Sequence, residues 1–256
     1  NQSIYVRLEC RDLAVLFKQK VIKHKHTDIV VYSLYETICR QLFSEPEHSL
    51  LGNYPELIHT EEAFSMVVVG DSELCVELIY QIATLAHLPE QNQVTIYCVC
   101  KDATHFYDTI AKRFPGISSI PNLILKPINI DNNSLEFFTH PLWHTPNLIN
   151  VFIAFKEQDL NLDIAINLQD TTYIQETGKD RSTFKAKIFF AMYNHSSLEE
   201  RIDKDDQAFA NFYSFADLAK VSSKDNIIDL KLDTIAKLIH FDHGNQLDKS
   251  PDVAED

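Results

Sequence analysis

The sequence predicts a doubly wound α/β fold, a mostly parallel sheet with helices on both faces. Three observations carry that expectation. Residues 66–69 (Met-Val-Val-Val), 94–100 and 148–155 are apolar, β-branched runs with little polar alternation, the pattern of strands covered on both sides. Between them lie stretches whose apolar residues recur at helical spacing, such as Leu74, Leu78, Ile82 and Leu85. Runs and stripes alternate along the chain, which calls for parallel strands joined by crossover helices.

Taken in order, residues 4–9 alternate as a strand. Residues 11–23 follow as a helix with a partial stripe of Leu13, Leu16, Phe17 and Lys20. Ile29 to Tyr32 form a second strand, and residues 33–43 a helix with Leu34, Ile38 and Leu42 on one face. Pro46, Gly52 and Pro55 then mark residues 46–62 as a linker. A longer series begins with strand 64–69, a turn at Gly70 and helix 72–87, which Pro89 closes. Strand 94–100 leads to helix 103–113, stopped by Pro115-Gly116. Residues 122–125 are a third strand, the segment framed by Pro141 and Pro146 is irregular, and strand 148–155 precedes helix 157–168 with Leu160, Ile164 and Leu168. A polar gap at 178–181 leads to strand 184–193, and a Phe-rich stretch at 209–215 is read as a short sixth strand. Helix 231–241 carries Leu232, Ile235, Leu238 and Ile239, and residues 244–256 read as a disordered acidic tail.

Ligands of such folds bind outside the carboxyl ends of the strands. That edge collects Gly70-Asp71-Ser72, Cys100-Lys101-Asp102, Pro127-Ile128 and Phe155-Lys156-Glu157. Strand, glycine turn and helix around Gly70 open a nucleotide-binding βαβ unit, so the candidate cofactor-binding residues are Gly70, Asp71, Ser72, Glu73, Leu74, Cys100, Lys101, Asp102, Phe155 and Lys156.

The formal net charge of −14 and the absence of a long basic run exclude a nucleic-acid surface. The basic cluster Lys18, Lys20, Lys23 and Lys25, with His24 and His26, reads as a solvated helix end and loop. The five cysteines are scattered and sit mostly in apolar runs, which points to buried, reduced thiols of a cytosolic protein. His140 and His144 flank Pro141 and Trp143 and lack an acidic or thiol partner at fixed spacing, so they read as loop lining or a subunit contact. The carboxylates Glu199, Glu200, Asp203, Asp205 and Asp206 lack the glycine of a calcium loop and read as a solvated helix. No Gly-x-Ser-x-Gly nucleophile turn occurs, and no catalytic residue is assigned. No stretch approaches the ~20 apolar residues of a spanning helix. The chain opens on Asn1-Gln2-Ser3-Ile4 and enters a strand at once, so it is expected to be a piece of a longer protein.

The order of segments resembles the TrkA-N, or RCK (regulator of potassium conductance), NAD-binding domains over roughly residues 64–240. The residues that carry the resemblance are the strand and turn at Gly70, Val94-Thr95-Ile96 closing on Cys100-Lys101-Asp102-Ala103, Arg113-Phe114-Pro115, residues 147–154, and Asp159-Leu160-Asn161-Leu162. Residues 4–43 look like the last strands and helix of a preceding copy, with residues 32–35 (Tyr-Ser-Leu-Tyr) opening its closing helix. The organisation expected is therefore 1–45 as the end of one Rossmann-like domain, 46–62 as linker, 63–243 as a second such domain, and 244–256 as tail. The resemblance implies a cytosolic ligand-sensing or oligomerising module at the cytoplasmic face of a potassium channel or K+ transport protein. It also implies NAD(H) or another adenine nucleotide at the first βα turn, a homodimer or higher oligomer through the Rossmann domains, and a membrane portion outside this chain.

The glycine fingerprint departs from the family's. G-x-G-x-x-G reads here as Gly70, Ser72 and Cys75. Ser72 is small enough to be tolerated and its hydroxyl could meet a phosphate, whereas Asp71 and Glu73 compete with phosphate for the helix N-terminus. Cys100 stands where an acidic ribose ligand is expected, with Asp102 two residues on. Two alternatives follow: a Rossmann-like scaffold that has lost its nucleotide, and an NAD-dependent oxidoreductase, for which little chain remains after residue 216 to build a substrate domain.

Overall fold

The computed structural model describes residues 2–9, 11–20, 27–45, 48, 63–85, 93–145, 147–175, 186–194 and 211–223. The linker (apart from His48), His24 and His26, the carboxylates at 199–206, the helix expected at 231–241 and the tail lie outside these residues.

Eight strands among the described residues form two sheets. The N-terminal pair, β1 (Gln2–Leu8) and β2 (Thr27–Ser33), is parallel and connected by α1 (Arg11–Lys20). Helix α2 (Leu34–Ser44) follows directly, with Ser33 as its N-cap accepting the Glu36 amide at 3.4 Å. The larger sheet contains β3 (Phe64–Val69), β4 (Val94–Cys100), β5 (Leu123–Asn129), β6 (Leu148–Ile153), β7 (Lys187–Ala191) and β8 (Phe212–Phe215). All neighbours pair parallel, in the order β5-β4-β3-β6-β7-β8. Numbered within this sheet, the order is 3-2-1-4-5-6, that of the doubly wound dinucleotide-binding fold. The expected fold class is thus the observed one.

Both faces of this sheet are covered. Helices α3 (Glu73–Leu85) and α4 (Ala103–Arg113) lie on one face, their Leu74, Leu78, Ile82, Phe106 and Ile110 buried with Met66, Val68, Ile96 and Cys98. On the other face lie α5 (Leu135–Thr139), a 3-10 turn at Pro141–His144 and α6 (Gln158–Gln175). Phe137, Trp143, Ile164 and Leu168 there meet Val67, Val69, Val151 and Phe190. The short α7 (Leu218–Val221) adds Val221 to the first side. Segment 141–144, which the two prolines leave unpatterned in sequence, is ordered by capping: His140 Nδ1 accepts the Leu142 amide at 3.1 Å and the Trp143 indole donates to the Phe137 carbonyl.

Helix α2 belongs by sequence to the N-terminal βα unit, yet buries Leu34, Ile38, Cys39 and Leu42 in the core of the larger sheet. It roofs an aromatic row across β6, β7 and β8. Phe43 meets Phe152 edge-on, Phe152 stacks on Phe189 at 5.0 Å, and Phe189 stacks on Tyr213 at 5.2 Å.

Helix α1 meets the larger unit through charge. Arg11 pairs with Glu77 of α3 at 2.8 Å and lies 4.1 Å from the centre of the Tyr80 ring, while Gln81 donates to the same Glu77 oxygen at 2.9 Å. Arg113 of α4 reaches Asp12 of α1 and Glu73 of α3, each at 2.6 Å. The stripe expected to face a core points the other way: Leu13, Leu16 and Phe17 are 54%, 52% and 44% exposed, and Ala14 is the buried residue. Arg11 and Ala14, the residues facing inward, set the rotation of the helix.

Candidate functional site

The chain leaves β3 toward β4 on one side, and β6 lies against β3 on the other. The sheet's switch point is therefore between the carboxyl ends of β3 and β6, where a dinucleotide would enter. The sequence-selected residues 70–74 and 155–156 do come together at this edge, flanked by 100–102 at the end of β4.

Gly70 turns the chain with φ of 119°, a conformation that side chains oppose. Its amide donates to the Val99 carbonyl at 2.9 Å, and the Ala154 amide donates to the Val69 carbonyl at 3.1 Å. A Cβ built on Gly70 would lie 3.1 Å from Cys75 Sγ and 3.2 Å from the Ala154 carbonyl oxygen. The turn and the end of β6 are thus in close contact. Gly70→Ala is expected to lose about 2 kcal/mol, from backbone strain plus overpacking, read as a lowered urea midpoint; an unchanged midpoint would contradict this packing.

Ser72 tightens the closure. Its hydroxyl donates to the Ala154 carbonyl at 2.5 Å and accepts the Cys75 amide at 3.2 Å, so it caps α3 and ties it to β6 in one motion. The Cys75 thiol also contacts the Ala154 carbonyl, at 3.2 Å. Ser72 is buried, and the hydroxyl considered for a phosphate is engaged within the protein instead. Leu74 and Cys100 are likewise buried, their side chains packed in the core on the α3 side of the sheet.

The exposed rim is acidic. Asp71, Glu73, Asp102 and Glu157 are exposed, against Lys101 and Lys156. Lys101 pairs with Asp131 at 3.6 Å, and Asp102 caps α4 by accepting the His105 amide at 3.2 Å. Arg113, whose guanidinium reaches the first turn of α3, is committed to Glu73 and Asp12. Burial acts against its charge, but those two carboxylates prevail and hold it above its ordinary range.

Comparison with known proteins adds little to this geometry. No family model matches the chain, and no curated protein matches it. Among solved structures, the chain is similar to a dipicolinate synthase subunit from Bacillus halodurans, at 8% identity and a TM-score of 0.37, over 92% of this chain. The match spans 65% of that protein, less than two thirds of its length.

A residue outside the expected site organises its far wall. Asn161, fully buried near the start of α6, accepts the Phe155 amide at 2.7 Å and donates to the carbonyls of Phe155 at 3.0 Å and Ala191 at 2.9 Å. Tyr193 adds a donated bond to the Phe155 carbonyl at 3.0 Å. Together they clamp the ends of β6 and β7. The signal available in sequence is an amide placed among Leu160, Leu162 and Ile164, where an apolar helix face would not otherwise carry one.

The four thiols among the described residues are not poised for chemistry. Burial pushes Cys75 and Cys98 up to about 12 and Cys100 up to about 11, and raises Cys39 as well. No group of three His, Cys, Asp or Glu side chains among the described residues is arranged to hold a metal ion. No helix among them is long and apolar enough to cross a membrane.

Proposed function

We propose that this chain is a non-catalytic regulatory module of a potassium channel or K+ transport protein. In this reading it works as a packing and oligomerising scaffold at the cytoplasmic face, and its dinucleotide crevice has become structural. The observation that supports the scaffold reading is the Ser72 bridge to Ala154, with Cys75 behind it: the Ser72 hydroxyl and the Cys75 amide at the turn bond within the protein instead of facing a ligand. The acidic rim adds electrostatic opposition to a phosphate at the α3 N-terminus. The potassium-transport assignment rests on the ordered resemblance of segments 64–240, and the strand order is compatible with it.

Thermal unfolding with NAD, NADH, ATP and AMP tests the closed crevice. The expected result is no shift with any of the four at millimolar concentration. A nucleotide at 100 times its dissociation constant would add about 2.7 kcal/mol, or roughly 5–10 °C for a chain of this size. Such a shift would restore the nucleotide-sensor reading, and turnover of NADH would replace it with an oxidoreductase.

A further inference from the structure

Helix α2, β8 and α7 line a cavity of about 180 Å³ at the β8 end of the larger sheet. Strands β6 and β7 separate it from the switch point. Its apolar lining is Ile38 and Leu42 of α2, Phe190 of β7, and Phe212 and Phe215 of β8, all buried. A cavity of roughly 150 Å³ with walls of this kind takes up a benzene ring. Pockets for larger ligands run to roughly 300–1,000 Å³. The space here therefore suits one aromatic ring or one branched aliphatic side chain.

The polar lining carries both signs of charge. Glu45, the C-cap of α2, and Lys220 of α7 are exposed at the mouth, and Asp217, the N-cap of α7, is partly buried. Helix α2 has no basic residue in its last turn, so its carbonyl end and Glu45 together favour a cation. His48 holds Glu45 in place. Its Nδ1 lies 3.3 Å from the carboxylate, and its ring sits edge-on to Phe189 at 5.3 Å and to Tyr213 at 5.2 Å. Asp217 is occupied in capping, its Oδ1 accepting the amides of Ala219 at 2.9 Å and Lys220 at 3.4 Å. The Lys220 ammonium is 3.9 Å from the other Asp217 oxygen, at the outer limit of an ion pair. Ala216 lines the same space with φ of 74°, a strain that recurs where a ligand is held.

A ligand bearing one sign of charge fits this mouth poorly. An amine alone leaves Lys220 against an uncharged body, and a carboxylate or phosphate alone adds a third anion beside Glu45 and Asp217. A zwitterion answers both signs at once. We propose that the cavity binds a free α-amino acid with an apolar side chain. Its ammonium lies toward Glu45, its carboxylate toward Lys220, and its side chain among Leu42, Phe212 and Phe215. Such a ligand touches α2, which is continuous with β2, and also β8 and α7, so its binding fastens the N-terminal unit to the larger sheet. The site goes beyond the scaffold reading, and its failure would leave that reading standing.

The test is thermal unfolding of the 256-residue chain with L-leucine and with L-phenylalanine at millimolar concentration. Phenethylamine, which keeps only the ammonium, and 3-phenylpropionate, which keeps only the carboxylate, are the controls. A saturable rise of roughly 5 °C or more is expected with at least one of the two amino acids, and neither control should match it. Glu45→Gln and Lys220→Gln should each weaken that binding at least tenfold, with unliganded melting temperatures near that of the parent. No shift with either amino acid, an equal shift with either control, or variants that bind like the parent would overturn the proposal.

Discussion

Asn161→Ala is expected to lower stability by about 3–4 kcal/mol, seen as a clear fall in the urea midpoint. The change removes one acceptor and two donors from a site that water does not reach. The Phe155 amide loses its acceptor, and the Ala191 carbonyl loses this donor; each stranded buried group costs about 1–3 kcal/mol. The Phe155 carbonyl keeps the Tyr193 hydroxyl, so its loss is partial. Asn161→Asp provides the control. A carboxylate still accepts the Phe155 amide but faces two carbonyls with nothing to donate, so it should destabilise at least as much at neutral pH. If both variants unfolded like the parent, the clamp between β6 and β7 would have no energetic content.

The second large effect concerns Glu77. This carboxylate is held near the middle of α3 with its side chain 5% exposed, and burial raises its pKa while Gln81 and Arg11 oppose the rise. Removing one partner of a buried pair leaves the other charge uncompensated, and Arg11→Ala is expected to cost about 3 kcal/mol at neutral pH. Because the folded-state pKa lies above the ordinary 4.5, the folded protein holds this proton more tightly than the unfolded chain. Stability from this group is therefore greatest at low pH and declines as pH rises from about the unfolded value through the folded one. Arg11→Ala should steepen that decline, since the cation that favours the carboxylate is gone. Stability curves at about pH 4, 5, 6 and 7 measure it. A deficit in Arg11→Ala that is the same at every pH would show that Glu77 does not titrate in response to Arg11. Arg11→Met/Glu77→Met removes both charges and should recover most of the loss.

The alternation of strands and helices is readable because periodicity is a local property: Met66 to Val69 and Leu74 to Leu85 announce their elements without help from the rest of the chain. Gly70 is readable for the same reason, since a lone glycine after a buried run marks a turn. Three other features depend on contacts between distant residues. Ser72 looks available to a ligand in sequence because its target, Ala154, lies 82 residues away across the switch point. The α1 stripe looks like core because spacing gives a face but not its direction, and Arg11 pairing with Glu77 fixes the direction. Asn161 stands out only as an amide among Leu160, Leu162 and Ile164, a pattern that marks the position but not the three backbone groups in two segments that it bonds.

Helix α2 has a further meaning for how such a chain is assembled. It is continuous with β2 and lies over the aromatic row of β6, β7 and β8, so the lid of one layer is the tail of the layer before it. Layers joined in this overlapping way, like roof tiles, share a surface rather than abutting, and a tilt of the N-terminal pair cannot occur without dragging its tile across Phe152. A displacement of β1 and β2 is therefore expected to press on the larger sheet through the contact of Phe43 with Phe152.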